Sequence, residues 1–416
     1  MKLVNIMRKI GVTLIFIFVL AFITIFSLII FIIVNSPGKP KDFLDENRKI
    51  ITNSISEKGF IEINGEKLGF FIKGKNVNNP ILLYLHGGMP DYFLTQKYPT
   101  GLDDIFTTVW WEQRGAGLSY NAKYKERAVN IDNLIDDTKD ITNYLRNRFS
   151  RDKIYIMAHS GGSYLGIKVI QKYPELYIAY IGVAQISYQK LSEKKAYDYI
   201  IEHYKNDEKK KKIVNDLINN PIIMTEPLPT KYTRIRDYAM HDLGIGTMHN
   251  IKYVVTGIFI PSLLFKEYSL REKIDLWKGK ASSGISIIWN ELISHDLAKE
   301  NIIFKVPVYF LHGIYDYTCS YELAKEYFEK INAPVKGFYS FNYSAHSPIF
   351  EEPKECIKII KENILSKINQ IDQNVNQYVL NIKYLRSNDI LKSSQAQCGN
   401  LGVRSTCLII GDHDIL

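Results

Sequence analysis

The chain has 416 residues, 46% of them apolar and 12% aromatic, enough to fill a sizeable core in one large domain or two ordinary ones. This composition excludes a disordered chain. The 53 basic and 44 acidic residues leave a net charge of +9, but the positive charge is scattered and no zinc-ligand or RNA-binding pattern accompanies it, so no nucleic acid partner is expected.

In chain order, the first element is an uncharged run from Gly11 to Val34, rich in Leu, Ile, Phe and Val. As a helix it is roughly 36 Å long at 1.5 Å per residue, which suffices to cross a bilayer. A secretory signal has a shorter apolar part and a small-residue cleavage site, which "FIIVNSPGKP" does not offer. Residues 1–35 are therefore expected to form a single-pass, uncleaved membrane anchor. Lys39, Lys41, Arg48 and Lys49 balance the basic residues ahead of the run. The short tail and the long domain that follows favour an extracytoplasmic domain.

Residues 36–59 read as a linker, because "SPGKPKD" cannot continue a helix. "FIEING" and "KLGFFIKG" alternate around an Asn-Gly turn, predicting an opening hairpin. "NPILLYLHGG", "FTTVWWEQRG" and "DKIYIMAHS" are short apolar runs of the kind found in strands buried on both faces, with a helix over "DNLIDDTKDITNYLRNRF" between the last two. The pattern resumes in "LYIAYIGVAQIS", and later in "VPVYFLHG", "YELAKEYFEKI", "VKGFYSF" and "PKECIKIIKENIL". Alternating strands and helices predict an α/β fold with a mainly parallel sheet and helices on both faces.

The core is expected in two parts, 60–185 and 302–366. Between them, residues 186–301 break the rhythm with helices such as "SEKKAYDYIIEHYKN" and "KKKKIVNDLIN". This stretch is expected to form a helical cap over the sheet, with the basic run Lys209 to Lys212 on a solvated helix face. Residues 367–416 turn Asn/Gln/Ser-rich, and both a flexible appendage and a sequence unrelated to the domain are open readings. Cys319 and Cys356 read as structural thiols, whereas Cys398 and Cys407 in the tail have a disulfide open to them if the domain is extracytoplasmic.

The chemistry centres on "YIMAHSGGSYLG". A serine between a buried strand and a helix sits on a sharp turn that lifts its Oγ above the sheet, and the turn needs small residues two positions either side. Ala158 stands where the usual motif has glycine, and Gly162 keeps the second position, so Ser160 is the candidate nucleophile. A nucleophilic serine needs a base, and the base an orienting acid. Asp316 in "FLHGIYDYT" and His346 in "NYSAHSPIFEEP" follow at strand exits in the order Ser, acid, His. One oxyanion amide is expected from Gly161 and another from the "HGGMP" loop. His86 is assigned to bracing that turn, and Trp110, Trp111, Glu112 and Arg114 to pinning the exit of the neighbouring strand.

"HGGMP", "EQRGAGLS", "AHSGG", "GIYD" and "SAHSP", in this order over roughly Phe60 to Leu365, resemble the motifs of the α/β-hydrolase superfamily, and within it the prolyl aminopeptidase-like serine peptidases. The resemblance implies an α/β-hydrolase fold, a triad of Ser160, Asp316 and His346, and oxyanion donors at Gly88 and Gly161. It implies no metal and no organic cofactor. The sequence departs from the family in lacking Pro-Gly after Gly88 and in carrying Glu112 for aspartate. The family's cap supplies carboxylates for the substrate amine, and Glu291 in "WNEL" is the candidate for that role. The expected function is a serine hydrolase acting through an acyl-enzyme, an aminopeptidase that releases N-terminal proline or a similar residue from short peptides. A carboxylesterase or lipase acting on acyl esters, or a non-catalytic anchored binding module, are the alternatives.

Overall fold

Asn64 and Gly65 take positive φ values of 51° and 77°, the backbone demanded by a tight hairpin whose twist matches its strands. In a computed structural model that describes residues 2–122, 129–368 and 370, this hairpin opens a single sheet. Its strands are β1 (Ile55–Ile63), β2 (Glu66–Gly74), β3 (Ile81–Leu85), β4 (Thr107–Glu112), β5 (Ile154–His159), β6 (Tyr177–Val183), β7 (Val308–Gly313) and β8 (Lys336–Phe341). They lie in the order β1-β2-β4-β3-β5-β6-β7-β8. β1 and β2 pair antiparallel, as do β2 and β4, and every later pair is parallel. All eight strands fall on the runs expected from sequence. β1 begins at Ile55 rather than Phe60, because Ile55 to Gly59 pair with Gly74 to Phe70 and extend the hairpin into the expected linker.

The first helix, α1 (Lys2–Val34), contains the apolar stretch Ile10–Val34, with mean hydropathy 3.3 and its apolar side chains exposed. α2 (Ile131–Arg148) starts where the Asn130 side chain accepts from the Asn133 amide, and buries Leu134, Thr138, Ile141 and Leu145 at helical spacing. α3 (Gly161–Lys172) follows β5 directly. β3, β4, β5 and β7 are buried at every position, as expected of strands with helices on both faces.

Between β6 and β7 the chain leaves the sheet for α4 (Gln189–Tyr204), α5 (Lys211–Ile218), α6 (Thr230–Asp242), a π-helical turn Val255–Phe259 leading into α7 (Ile260–Leu264), then α8 (Leu270–Ser283), α9 (Trp289–Ser294) and α10 (Leu297–Glu300). Helices α4 to α6 close around their own apolar core of Ala196, Ile200, Val214, Leu217, Tyr232 and Met240. α8 begins with a capping box between Ser269 and Glu272. After β7 come α11 (Tyr321–Lys330), then β8, α12 (Pro348–Glu351) and α13 (Pro353–Ile359).

The chain divides into two compact units, Met1–Ile357 and Lys358–Leu416. The described part of the second holds the last two residues of α13 and then a π-helical stretch, Ile360–Leu365. Cys398 and Cys407, and nearly all of the expected tail 367–416, lie outside the described residues. Cys319 and Cys356 are buried free thiols.

Candidate active site

β3 is the point at which the sheet order switches, since β4 lies on one side of it and β5 on the other. The crevice beyond such a switch, at the carboxyl ends of the strands, is where open α/β sheets place their ligands. The loops after β3 and β5 meet there. Ser160 stands between β5 and α3 with φ 56° and ψ −127°, a strained backbone for a residue with a side chain. Its amide bonds to Val183 O at 3.0 Å, and its carbonyl accepts from the Ser163 amide at 2.8 Å and the Ser163 hydroxyl at 2.6 Å. The turn is fixed from both sides.

Strand and helix nearly touch at this turn. A Cβ at Gly162 would lie 2.5 Å from both Leu85 O and His86 O. The methyl group of Ala158 is accommodated because the helix keeps a glycine opposite it: a Cβ at Gly166 would fall 2.9 Å from Ala158 Cβ and 2.6 Å from the Tyr180 ring. The glycine missing from the strand is thus supplied one turn into α3.

The loop after β3 passes against the serine, with a Cβ at Gly87 reaching 3.0 Å from Ser160 Oγ. His86 holds this loop. Its Nε2 accepts from the Gln113 amide at 3.0 Å, which leaves the hydrogen on Nδ1 to donate to Gly87 O at 2.9 Å. Burial lowers its pKa to about 4, so His86 is a neutral brace, as its assigned role requires. Glu112 braces the β4 exit by accepting from the Leu118 amide and from Tyr268 of the cap connection. Arg114 pairs with Asp137 through two bonds of 2.6 and 2.7 Å, and Trp110 and Trp111 are buried in β4.

Asp316 and His346 meet beyond β7 and β8. His346 Nδ1 lies 2.9 Å from Asp316 Oδ2, while the other carboxylate oxygen accepts from the Cys319 amide at 2.9 Å. A second imidazole, His312, places Nε2 3.1 Å from Asp316 Oδ2. Burial alone would raise the Asp316 pKa, but the charge on His346 and the bonds from His312 and His346 hold it well below the ordinary range. Burial lowers the pKa of His346 against the opposing pull of Asp316. With Nδ1 donating to Asp316, Nε2 is left as a basic lone pair.

Ser160 and His346 line one cavity of about 340 Å³ under the cap. Its walls are mainly apolar, with Phe93, Leu94, Met240, Val254, Ile258 and Trp277 among them. Five cap groups add polarity: Arg236, Asp237, His241, Thr247 and Lys280. Arg236 is spoken for by Glu193, bound through contacts of 2.6 and 2.8 Å. Asp237 touches Arg236 Nη1 at 2.7 Å with its own side chain 66% exposed. Lys280 reaches the carbonyls of Gly88 and Ile285, at 3.4 and 3.3 Å.

Of the residues singled out in the sequence, the structure bonds His346 to Asp316 and sets Ser160 and His346 on one cavity, with Gly87 and Gly88 on the adjoining loop and Gly161 at the start of α3. It does not bring Glu291 to them. Glu291 pairs with His295 at 3.0 Å and lines a separate recess with Asn130 and Trp289, because α9 turns that side chain away from the cavity. The sequence reading missed Asp91 and His159, which clamp the serine turn, and Asp237. Asp91 follows "HGGMP" directly and His159 precedes the serine, so adjacency was a usable signal for both. No signal in "RIRDYAMH" marks Asp237.

This sheet, its helical insertion and the serine turn define an α/β-hydrolase. A profile of the family described as serine aminopeptidase, S33, matches residues 82–197. A probable aminopeptidase of Bacillus subtilis (strain 168), YbaC, is 30% identical over 302 residues, covering 72% of this chain and 93% of YbaC. The fold is shared with a proline iminopeptidase-related protein of Thermus thermophilus, at 18% identity and TM-score 0.53 over 74% of this chain and 96% of that one. It is also shared with VinJ, at 16% identity and TM-score 0.53 over 74% of this chain and 98% of VinJ. The chain belongs to the serine aminopeptidase family of the α/β-hydrolases.

Proposed function

We propose that the protein is a serine hydrolase that releases N-terminal proline or a similar residue from short peptides. The observation that carries this reading is the placement of Ser160, at positive φ on the strand-to-helix turn, in one cavity with an imidazole whose Nδ1 is held by a buried carboxylate. His346 Nε2 takes the Ser160 proton as Oγ attacks the acyl carbon, and the imidazolium returns it to the leaving amine. The amides of Gly88 and Gly161 receive the oxyanion. Water, deprotonated by the same imidazole, then releases the acyl group.

The relative's name supports a peptide substrate, and so does a carboxylate in the cavity able to take a free amine. With Glu291 elsewhere, that role falls to Asp237. Arg236 beside it keeps its carboxyl below the ordinary range, so it is an anion at neutral pH. The enclosing cap favours short peptides. The apolar walls suit a proline ring, and they equally suit an acyl chain, which keeps the ester reading as the alternative. Turnover of a proline aryl amide by the detergent-solubilised full chain tests the peptidase reading. Ester turnover without amide turnover would replace it with the esterase.

α1 is read as a membrane anchor, with the catalytic body on the extracytoplasmic side. Protease added outside intact cells should then degrade the body, and protection from it would reverse the orientation.

A further inference from the structure

The cap segment that walls the cavity also has an outer side. Val254, Ile258 and Trp277 face the cavity, yet on the same short stretch Tyr253, Val255, Phe259 and Ile260 are between 38% and 65% exposed. A helix that is apolar all round belongs in a protein core or in lipid, and this one is covered by protein on one side alone. Leu270 and Ile274, one turn apart on α8, extend the exposed face. The edge-on packing of Phe259 against Trp277, with centroids 5.0 Å apart, makes the two helices one surface. Exposed Lys252, Lys266, Arg271 and Lys278 accompany it. Apolar residues with basic ones around them are the composition of an element that lies in a membrane interface.

The neighbour of this face is the end of α1. Lys273, on α8 between Leu270 and Ile274, is itself buried and donates to Asn35 O at 2.7 Å and Ser36 Oγ at 2.9 Å. The Gly38 amide bonds to Lys266 O at 3.1 Å, and Pro37 bridges to Ser269. The apolar stretch ending at Val34 has 25 residues. At 1.5 Å each this is roughly 37 Å, somewhat more than the ~30 Å hydrocarbon core it would cross. Its last turn therefore sits at headgroup level, and the cap residues bonded to Asn35, Ser36 and Gly38 sit there with it.

We propose that the face formed by Tyr253, Val255, Phe259, Ile260, Leu270 and Ile274 is seated in the headgroup and acyl boundary of the bilayer that α1 spans. The proposal rests on the anchor reading above. The occupant is lipid rather than a second copy of the chain because the face is continuous with the end of the spanning helix. That tether presents it to the bilayer surface at high effective concentration, so a modest intrinsic affinity suffices. The segment then has lipid on one side and the active-site cavity on the other.

The test uses the full chain in phosphatidylcholine and phosphatidylglycerol vesicles, with the photocrosslinker p-benzoylphenylalanine in place of Phe18, Ile260 or Ile303. Phe18 lies within α1, and Ile303 is an exposed residue between α10 and β7 that bridges to Asn332 rather than to α7 or α8. Irradiation should add lipid mass at positions 18 and 260, with at least tenfold less at 303. Lipid capture at 18 without capture at 260 overturns this inference and leaves the anchor in place. Equal capture at 260 and 303 overturns it as well. Absence of capture at 18 removes the anchor reading and this proposal together.

Discussion

His159 Nε2 lies 2.8 Å from the carbonyl oxygen of His346 while its Nδ1 lies 3.0 Å from Asp91 Oδ2. A carbonyl and a carboxylate both accept, so this geometry favours the ring with hydrogen on both nitrogens, its cationic form. Burial pushes its pKa down, but the bond to Asp91 and the charge of Asp91 outweigh this and raise it. The residue before the serine thereby clamps the loop that carries the proposed base. Loss of the clamp in His159→Gln should lower kcat/KM by about tenfold to a hundredfold, the scale set by displacing a reacting group by about 1 Å. Because the folded pKa is raised, the stabilisation is full below the unfolded value near 6.5 and fades as pH rises through the folded one. The Tm difference between wild type and His159→Gln should therefore shrink on the alkaline side, and a difference that grows there would contradict the cationic ring.

His346 works as a base only when neutral. Burial holds its pKa below the ordinary histidine value, so the acidic limb of kcat/KM against pH should lie below about pH 6.5. Asp316→Asn removes a partner that raises this pKa and also favours the wrong tautomer. The limb should move lower still, with kcat reduced by about 10⁴-fold. A pH–rate profile of both proteins checks the pair.

Glu112 is pushed up to about 8 by burial, against the bonds from Tyr268 and Leu118 that oppose the rise. A carboxyl raised on folding makes the native state bind more protons than the unfolded chain between the two pKa values. Stability accordingly falls as pH rises from about 4.5 to about 8, by at most about 1.4 kcal/mol per pH unit. Glu112→Gln should flatten this slope. Thermal melts at pH 5 and pH 8 measure it, and equal slopes in the two proteins would place Glu112 outside the effect.

At the serine turn, Gly162 and Gly166 of α3 should respond differently from Ala158. Gly162→Ala meets backbone carbonyls that cannot yield, and Gly166→Ala meets Ala158 and a Tyr180 ring fixed by its hydroxyl at 2.6 Å from Gln185. Each should cost about 1–3 kcal/mol in denaturant unfolding. Ala158→Gly restores the usual motif and should change kcat/KM by less than about threefold, since the helix already makes the room.

How far the sequence could be read follows from range. The strands were legible because apolar runs buried on both faces announce themselves locally, and β1 was misjudged only where polar residues at Ser56 to Lys58 hide its pairing. The positions of Ser160, Asp316 and His346 were legible because each sits at a strand exit, where chain order alone constrains the neighbours. Glu291 failed for the converse reason. Which carboxylate a helical cap turns inward depends on how α6, α8 and α9 pack over the sheet, and no short motif encodes that. Gly166 is an intermediate case, since its meaning appears only when the α3 spacing is set against Ala158.

The most direct test of the account is labelling of the full chain with a fluorescent fluorophosphonate, alongside Ser160→Ala and Asp316→Asn. The account predicts strong labelling of the wild type, none of the serine variant and slowed labelling of the aspartate variant. A folded wild type that takes no label, or equal labelling after Ser160→Ala, would contradict an activated serine at this turn.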